Sequence, residues 1–355
     1  IQRNLIILVI KFLQKIFVFF RVDMSFQQAL EQHKCLNENY LFTQEKLPEI
    51  RAEIAKSLET SNYKDKLCIV VTGSYGRHEA SEESDIDLYW FIDADIADKE
   101  ETLKTEIESV GSIINKHVTK DTGSTGTFGT SVVVTQSDLV GNIGGDKDTN
   151  MNLTRRMLLL LEGTSLYNQE KFNEIRRNLI NKYIKIEQNP NQIPRFLLND
   201  IIRYYRTITT DFEFKVSEGS KEWGLRNVKL KFSRKFLYFG GLLSIADLIG
   251  VNDIEQQKEK LENIFDKPVF EKVYACAEKH DLIEEMHQIF NLYDNFIEKI
   301  SNPENRKILE SVTKSQRNDN DLYKDLRTDS EEFSLGMEKF IKNAFGDKFI
   351  SYLIF

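Results

Sequence analysis

One stretch constrains the fold of this chain more than any other. A short apolar run rich in β-branched side chains, residues 67–71 (LCIVV), leads into Gly73-Ser74, and a second apolar run, residues 86–92 (IDLYWFI), carries Asp85 and Asp87 at its head. Runs of this length bounded by turn residues read as buried strands. Glycine permits a sharp turn after the first strand and lets a ligand's oxygens approach the main chain closely. The polar interval between the strands, residues 75–83, is long enough for a short helix, whose unpaired N–H groups and positive dipole end would face the same spot. Ser74 adds a hydroxyl donor, and Arg77 is placed to reach a phosphate or to pair with Glu79.

Asp85 lies eleven residues after Ser74, and Asp87 two further on. Residues two apart on a strand point to the same face. Two carboxylates side by side repel one another unless a cation sits between them. Hard oxygen ligands in such a pair suit Mg²⁺ (or Mn²⁺), shared with substrate phosphates. Ions held about 3.5–4 Å apart can activate an attacking hydroxyl and stabilise a leaving pyrophosphate.

Around this centre the pattern is helical over residues 24–65, with Leu47, Ile50, Ile54 and Leu58 at three- and four-residue steps, and again over residues 100–116. A third strand is expected at residues 131–135 (SVVVT), between the glycine-rich residues 123–129 and the loose segment 141–150. After Met151 long helical patterns take over at residues 153–162, 171–186, 195–214 and 225–249, then to the C-terminus. The chain of 355 residues therefore reads as α+β. A small mixed-sheet domain with N-terminal helices (residues 24–150) is followed by an all-helical domain (residues 151–355).

Gly73-Ser74, Gly76-Arg77 and Ser84-Asp85-Ile86-Asp87-Leu88 together resemble the signature of the DNA polymerase beta-like nucleotidyltransferase superfamily. The continuation Gly76, Arg77, Glu79 is similar to the branch that adenylylates glutamine synthetase. The close match covers residues 67–92. A glycine-serine turn or an Asp-x-Asp alone is common, whereas both at this spacing on flanking strands are specific. The resemblance implies a third carboxylate on a later strand, completing the metal site. Asp138, just after the third strand, is the first choice, with Asp146 and Asp148 as alternatives in the following loop. It also implies that a lysine and a serine of the second domain hold the triphosphate, which favours Lys229 and Ser233.

The residues themselves put Arg226, Lys229 and Ser233 in one stripe of the expected helix 225–249, beside the apolar stripe of Val228, Phe232, Phe236, Phe239 and Leu243. Arg195, Asn199, Arg203 and Arg206 share a second stripe, suited to phosphate or an acidic acceptor, though charge rows of this kind also occur as solvated faces. Arg155 and Arg156 are weaker candidates. The abundant phenylalanine and tyrosine read as core packing rather than as a platform for bases.

The formal net charge of -8 argues against stable binding of DNA, while leaving room for a local basic pocket. Cys35, Cys68 and Cys276 lack the spacing of a zinc site or disulfide framework and read as reduced thiols of a cytoplasmic protein. Residues 5–20 are apolar but interrupted by Lys11, Gln14 and Lys15, and shorter than the ~20 residues that span a bilayer. They are an anchor or signal, an interfacial helix, or translated sequence upstream of a start at Met24; the missing small-residue cleavage site weakens the signal reading, and upstream translation is the first choice. Residues 1–23 are therefore set apart from the fold. The expected function is a metal-dependent nucleotidyltransferase that moves an adenylyl group from ATP to a protein, RNA end or small molecule and releases pyrophosphate. The alternative is a catalytically weak nucleotide-binding regulatory module.

Overall fold

Two helices precede the first strand: α1 (Phe26–Leu30), closed by a reciprocal Ser25/Gln28 capping box, and the long α2 (Lys34–Leu58). The computed structural model describes residues 24–94, 96, 98–118, 129–186, 192–218 and 222–354. The expectations for residues 1–23, and for nearly all of the glycine-rich segment 123–129, lie outside them. Strand β1 (Leu67–Thr72) runs into the single-turn α3 (Gly73–Gly76), and β2 (Asp87–Ile92) returns beside it. Next come α4 (Lys99–Thr102), α5 (Lys104–His117), β3 (Val133–Thr135) and α6 (Gln136–Val140). Then α7 (Asn150–Leu161), β4 (Thr164–Tyr167) and α8 (Gln169–Ile186) lead to α9 (Arg195–Ser217).

The strands form one mixed sheet in the order β3-β2-β1-β4. β1 is antiparallel to β2 and β4, and β2 is parallel to β3. Both faces are covered, which is why β1 and β2 read as continuous apolar runs rather than as alternating ones. Leu67, Ile69, Val71, Leu88, Trp90 and Ile92 pack with Leu47, Ile50 and Ile54 of α2 and Val110 and Ile114 of α5. The alternate side chains, Cys68, Val70, Tyr89 and Phe91, enter a larger core with Leu158 of α7 and Phe172, Ile175 and Leu179 of α8. At roughly 25 cal/mol per Å² of apolar area, this two-sided burial is the main stabilisation of the sheet.

Strand β4 belongs to the part of the chain that the sequence reads as all-helical. Its four residues, TSLY, are too few to show a period, and the sheet therefore extends beyond residue 150. Beyond it the chain is helical. The expected helix 225–249 is three pieces: α10 (Gly224–Lys229), a π turn at Leu230–Arg234, and α11 (Lys235–Ala246). α12 (Ile254–Phe265), α13 (Val269–His280), α14 (Ile283–Ser301), α15 (Pro303–Ser311) and α16 (Asp321–Ile354, broken at Gly346) complete the fold. Among the described residues no helix is long and apolar enough to cross a membrane.

Two glycines test this packing in opposite directions. A Cβ on Gly76 would lie 2.4 Å from the Glu162 carbonyl oxygen and 3.1 Å from that of Val71, so Gly76→Ala is expected to cost about 3 kcal/mol. Gly111, in α5, has nothing within 4 Å of that position, and Gly111→Ala should gain about 0.5–1 kcal/mol. Denaturant midpoints of the two variants moving in the same direction would contradict the arrangement.

Candidate functional site

The antiparallel register pairs Thr72 with Asp87, which sets the turn after β1 directly beside the head of β2. Gly73 takes φ +71, the left-handed region, and a Cβ there would stand 3.0 Å from Asp87 Oδ2. Glycine is thus required twice, by conformation and by space. Ser74, Asp85 and Asp87, all half-buried, line the same cavity as Gly73, about 1130 Å³ in volume. Burial, then the neighbouring Asp85 carboxylate, pushes Asp87 up to about 6, while Arg234 and Lys229 oppose the shift. The Lys229 ammonium, on α10, is pulled down by burial against the upward effect of Asp85 and Asp87. Two cations, Lys229 and Arg234, and two carboxylates therefore converge on the turn.

The turn is held from beneath by Glu162, whose side chain has no solvent exposure. Glu162 Oε1 accepts the Gly73 N–H at 2.9 Å, and Oε2 accepts Arg77 Nη1 at 2.5 Å. Arg234 Nη1 also lies 3.4 Å from Oε1. Arg77 Nε donates to Glu79 at 2.7 Å, the other oxygen of Glu79 accepts the Tyr293 hydroxyl at 2.7 Å, and that hydroxyl is 3.0 Å from Ser233 Oγ. A few residues away, Lys272 donates to the Leu161 carbonyl at 2.8 Å; burial pulls its ammonium down to about 7.

This network revises several expectations. Arg77 borders the cavity, yet its guanidinium is locked between Glu79 and Glu162, so it braces the turn instead of reaching a phosphate. The Gly73 N–H is spent on Glu162, and α3 is a single turn, so the helix-dipole anion site expected there is not formed by that group. Ser233 lines the cavity but is buried against Tyr293. Lys229 and Arg226 reach the cavity as expected, and so does Arg234, which the sequence reading passed over. The π turn is the reason: its extra residue per turn shifts the helix phase, bringing Arg234 to the cavity along with Lys229 and Ser233.

Asp138 is not at the site. Its Oδ2 accepts the Thr135 N–H at 2.8 Å, the Thr135 hydroxyl at 2.9 Å and Lys99 Nζ at 3.1 Å, closing a capping box on α6. Burial works to raise its pKa, but these donors hold it below the usual carboxylate value. Asp146 is exposed, and Asp148 is consumed by Arg156 and Arg203, both at 2.9 Å. Arg156 also bonds Asp200 and Tyr183 and is a core residue, and Arg155 is buried too. Among the described residues, no three His, Cys, Asp or Glu side chains converge as a metal site. Asp85 and Asp87 stand as a pair, which fits a Mg²⁺ ion completed by substrate phosphates and water better than one caged by protein alone. Of the second arginine stripe, Asn199, Arg203 and Arg206 line the cavity, whereas Arg195 stacks on Tyr352, 5.2 Å away.

Two expected outcomes follow from these charges. Asp87 has a raised pKa in the folded state, so its stabilising contribution is present below about pH 4 and lost as pH rises through about 6. Asp87→Asn should therefore raise the stability of metal-free protein near neutral pH by up to about 3 kcal/mol, with the gain vanishing near pH 4; melting in chelator across this range reads it. Glu162→Gln leaves Arg77 and Arg234 short of an anion and should cost about 3–5 kcal/mol in chemical denaturation. A loss below about 1 kcal/mol would remove Glu162 from the centre of the network.

No family model matches the chain. An alignment 145 positions long, covering 38% of the chain, is 28% identical to part of the DNA polymerase III PolC-type of Mycoplasma genitalium and spans 9% of that protein.

Proposed function

We propose that the chain is a metal-dependent nucleotidyltransferase that moves an adenylyl group from ATP to a hydroxyl acceptor. The observation that carries this reading is the meeting of Asp85, Asp87, the Gly73-Ser74 turn and Lys229 on one cavity wall region. The acceptor oxygen attacks the α-phosphorus, the bond from that phosphorus to the bridging oxygen breaks, pyrophosphate leaves and the hydroxyl proton passes to water. Asp85 and Asp87 would hold Mg²⁺ or Mn²⁺, which supplies charge neutralisation of the triphosphate. Lys229, and Arg226 one turn before it, bind the phosphates, and Ser74 orients them. The turn is preorganised by Glu162 and Arg77, so little reorganisation accompanies binding. The polymerase likeness agrees with nucleotidyl transfer and with nothing finer. The free thiols Cys35, Cys68 and Cys276 agree with a reducing compartment, and we place the protein in the cytoplasm.

A second reading, a nucleotide-binding regulatory module with weak catalysis, is favoured by one observation: among the described residues no third carboxylate joins Asp85 and Asp87. Incubation with α-labelled ATP, Mg²⁺ or Mn²⁺ and fractionated acceptors separates the two. Label transfer with pyrophosphate release supports the enzyme, and tight ATP binding without either supports the module.

Asp85→Asn and Asp87→Asn should each lower transfer at least about 100-fold while the fold persists. Lys229→Ala should weaken binding of a non-hydrolysable ATP analogue about ten- to a hundredfold, as expected for a charge-assisted contact. Lys231 faces Glu331, Arg327 and Arg317 instead of the two aspartates, and Lys231→Ala should be silent. Equal affinities of the two lysine variants in calorimetric titration would withdraw the phosphate assignment.

A further inference from the structure

The cavity stands at the top of the size range of single-ligand pockets. Pockets for single small ligands occupy about 300–1,000 Å³, and this one is about 1130 Å³. Its walls are also chemically distinct. The turn, the two aspartates, α10 and the π turn make the side described above. Another part of the wall is built by α7 and α9, neither of which carries Asp85 or Asp87.

On α9, Arg206, Thr210 and Phe214 all line this cavity. They are four residues apart, so they lie on one face in steps of about 6 Å, in the order guanidinium, hydroxyl, aromatic ring. Each member has chemistry to offer a ligand. Arg203 is paired with Asp148 and Asp200, and Lys215 with Asp211, whereas Arg206 makes no ion pair among the described residues. Thr210 donates its proton to the Arg206 carbonyl at 3.0 Å, leaving its oxygen as an acceptor. Phe214 is 63% exposed and Met151 of α7 is 48% exposed. Both line this cavity, and the exposed Phe214 ring has a free face on which a ligand's planar ring can stack.

We infer that the ladder Arg206–Thr210–Phe214 is an acceptor subsite for a free mononucleotide, with the phosphate at Arg206, the ribose at Thr210 and the base on Phe214. This rests on the nucleotidyltransferase reading and names its acceptor. A ribose hydroxyl would attack the α-phosphorus of ATP, forming a phosphodiester and releasing pyrophosphate, with the proton passing to water. A long RNA fits the surroundings less well. Asp211 and Glu222 also line the cavity, and the chain carries -8 overall.

The test is titration of the full chain in Mg²⁺. A non-hydrolysable ATP analogue is titrated first, and AMP is then titrated into analogue-loaded protein. AMP is expected to bind, with ribose 5-phosphate and adenosine each at least about tenfold weaker. Phe214→Ala and Arg206→Ala should each weaken AMP about tenfold without changing analogue affinity, in line with the worth of a stacked base or a phosphate contact. Failure of the analogue to bind defeats the proposed function itself. Analogue binding without AMP binding, AMP binding equally to both variants and the parent, or tighter binding of a short single-stranded RNA overturns the subsite alone.

Discussion

The site depends on a carboxylate with no exposed surface. Glu162 sits at the end of α7, just before β4, and joins three parts of the chain that are far apart in sequence: the Gly73 turn, Arg77 and Arg234. A buried carboxylate is costly unless its charge is matched, and here two guanidiniums and a backbone N–H match it. The cluster is also nearly closed. Arg77 and Arg234 face Glu79 and Glu162, with Tyr293 tying Glu79 to Ser233. The glycine turn is therefore clamped to both the helix before β4 and the helical layer above it.

That clamp separates structural charge from working charge. Arg77, Glu79 and Glu162 satisfy one another in the interior, Arg156 is satisfied separately by Asp148 and Asp200, and their roles are positional. Asp85, Asp87, Lys229, Arg226 and Arg206 are left with their polar ends toward the cavity. Asp87 is pushed up first by burial and then by the neighbouring Asp85 carboxylate.

The helical layer contributes through a local irregularity. A continuous α-helix from α10 through α11 would present a single stripe. The π turn at Leu230–Arg234 shifts that phase by one residue, so Arg234 joins Lys229 and Ser233 at the cavity. Phe232, inside the same turn, stacks on Phe296 at 4.6 Å and packs against Phe333. Core packing on one side thus compensates the irregular hydrogen bonding that aims the charges on the other.

The local pattern of residues 67–92 determined a good deal alone: two buried strands, a glycine turn between them and a pair of aspartates at the head of the second. These features depend on periodicity and turn chemistry over a few residues, which sequence displays directly. The α+β class was legible for the same reason. Partnership between distant residues was not. Asp138 follows a strand as a third metal ligand should, but the nearest donors, Thr135 and Lys99, claim it. Glu162 gave no signal, since a glutamate after a leucine run looks like a helix end until β1 and the π turn are packed around it. The four-residue β4 was likewise too short to show a period and exists because β1 offers it an edge. Short-range chemistry set the turn and its carboxylates; burial and long-range charge pairing, which act only after collapse, decided which charges remain at work.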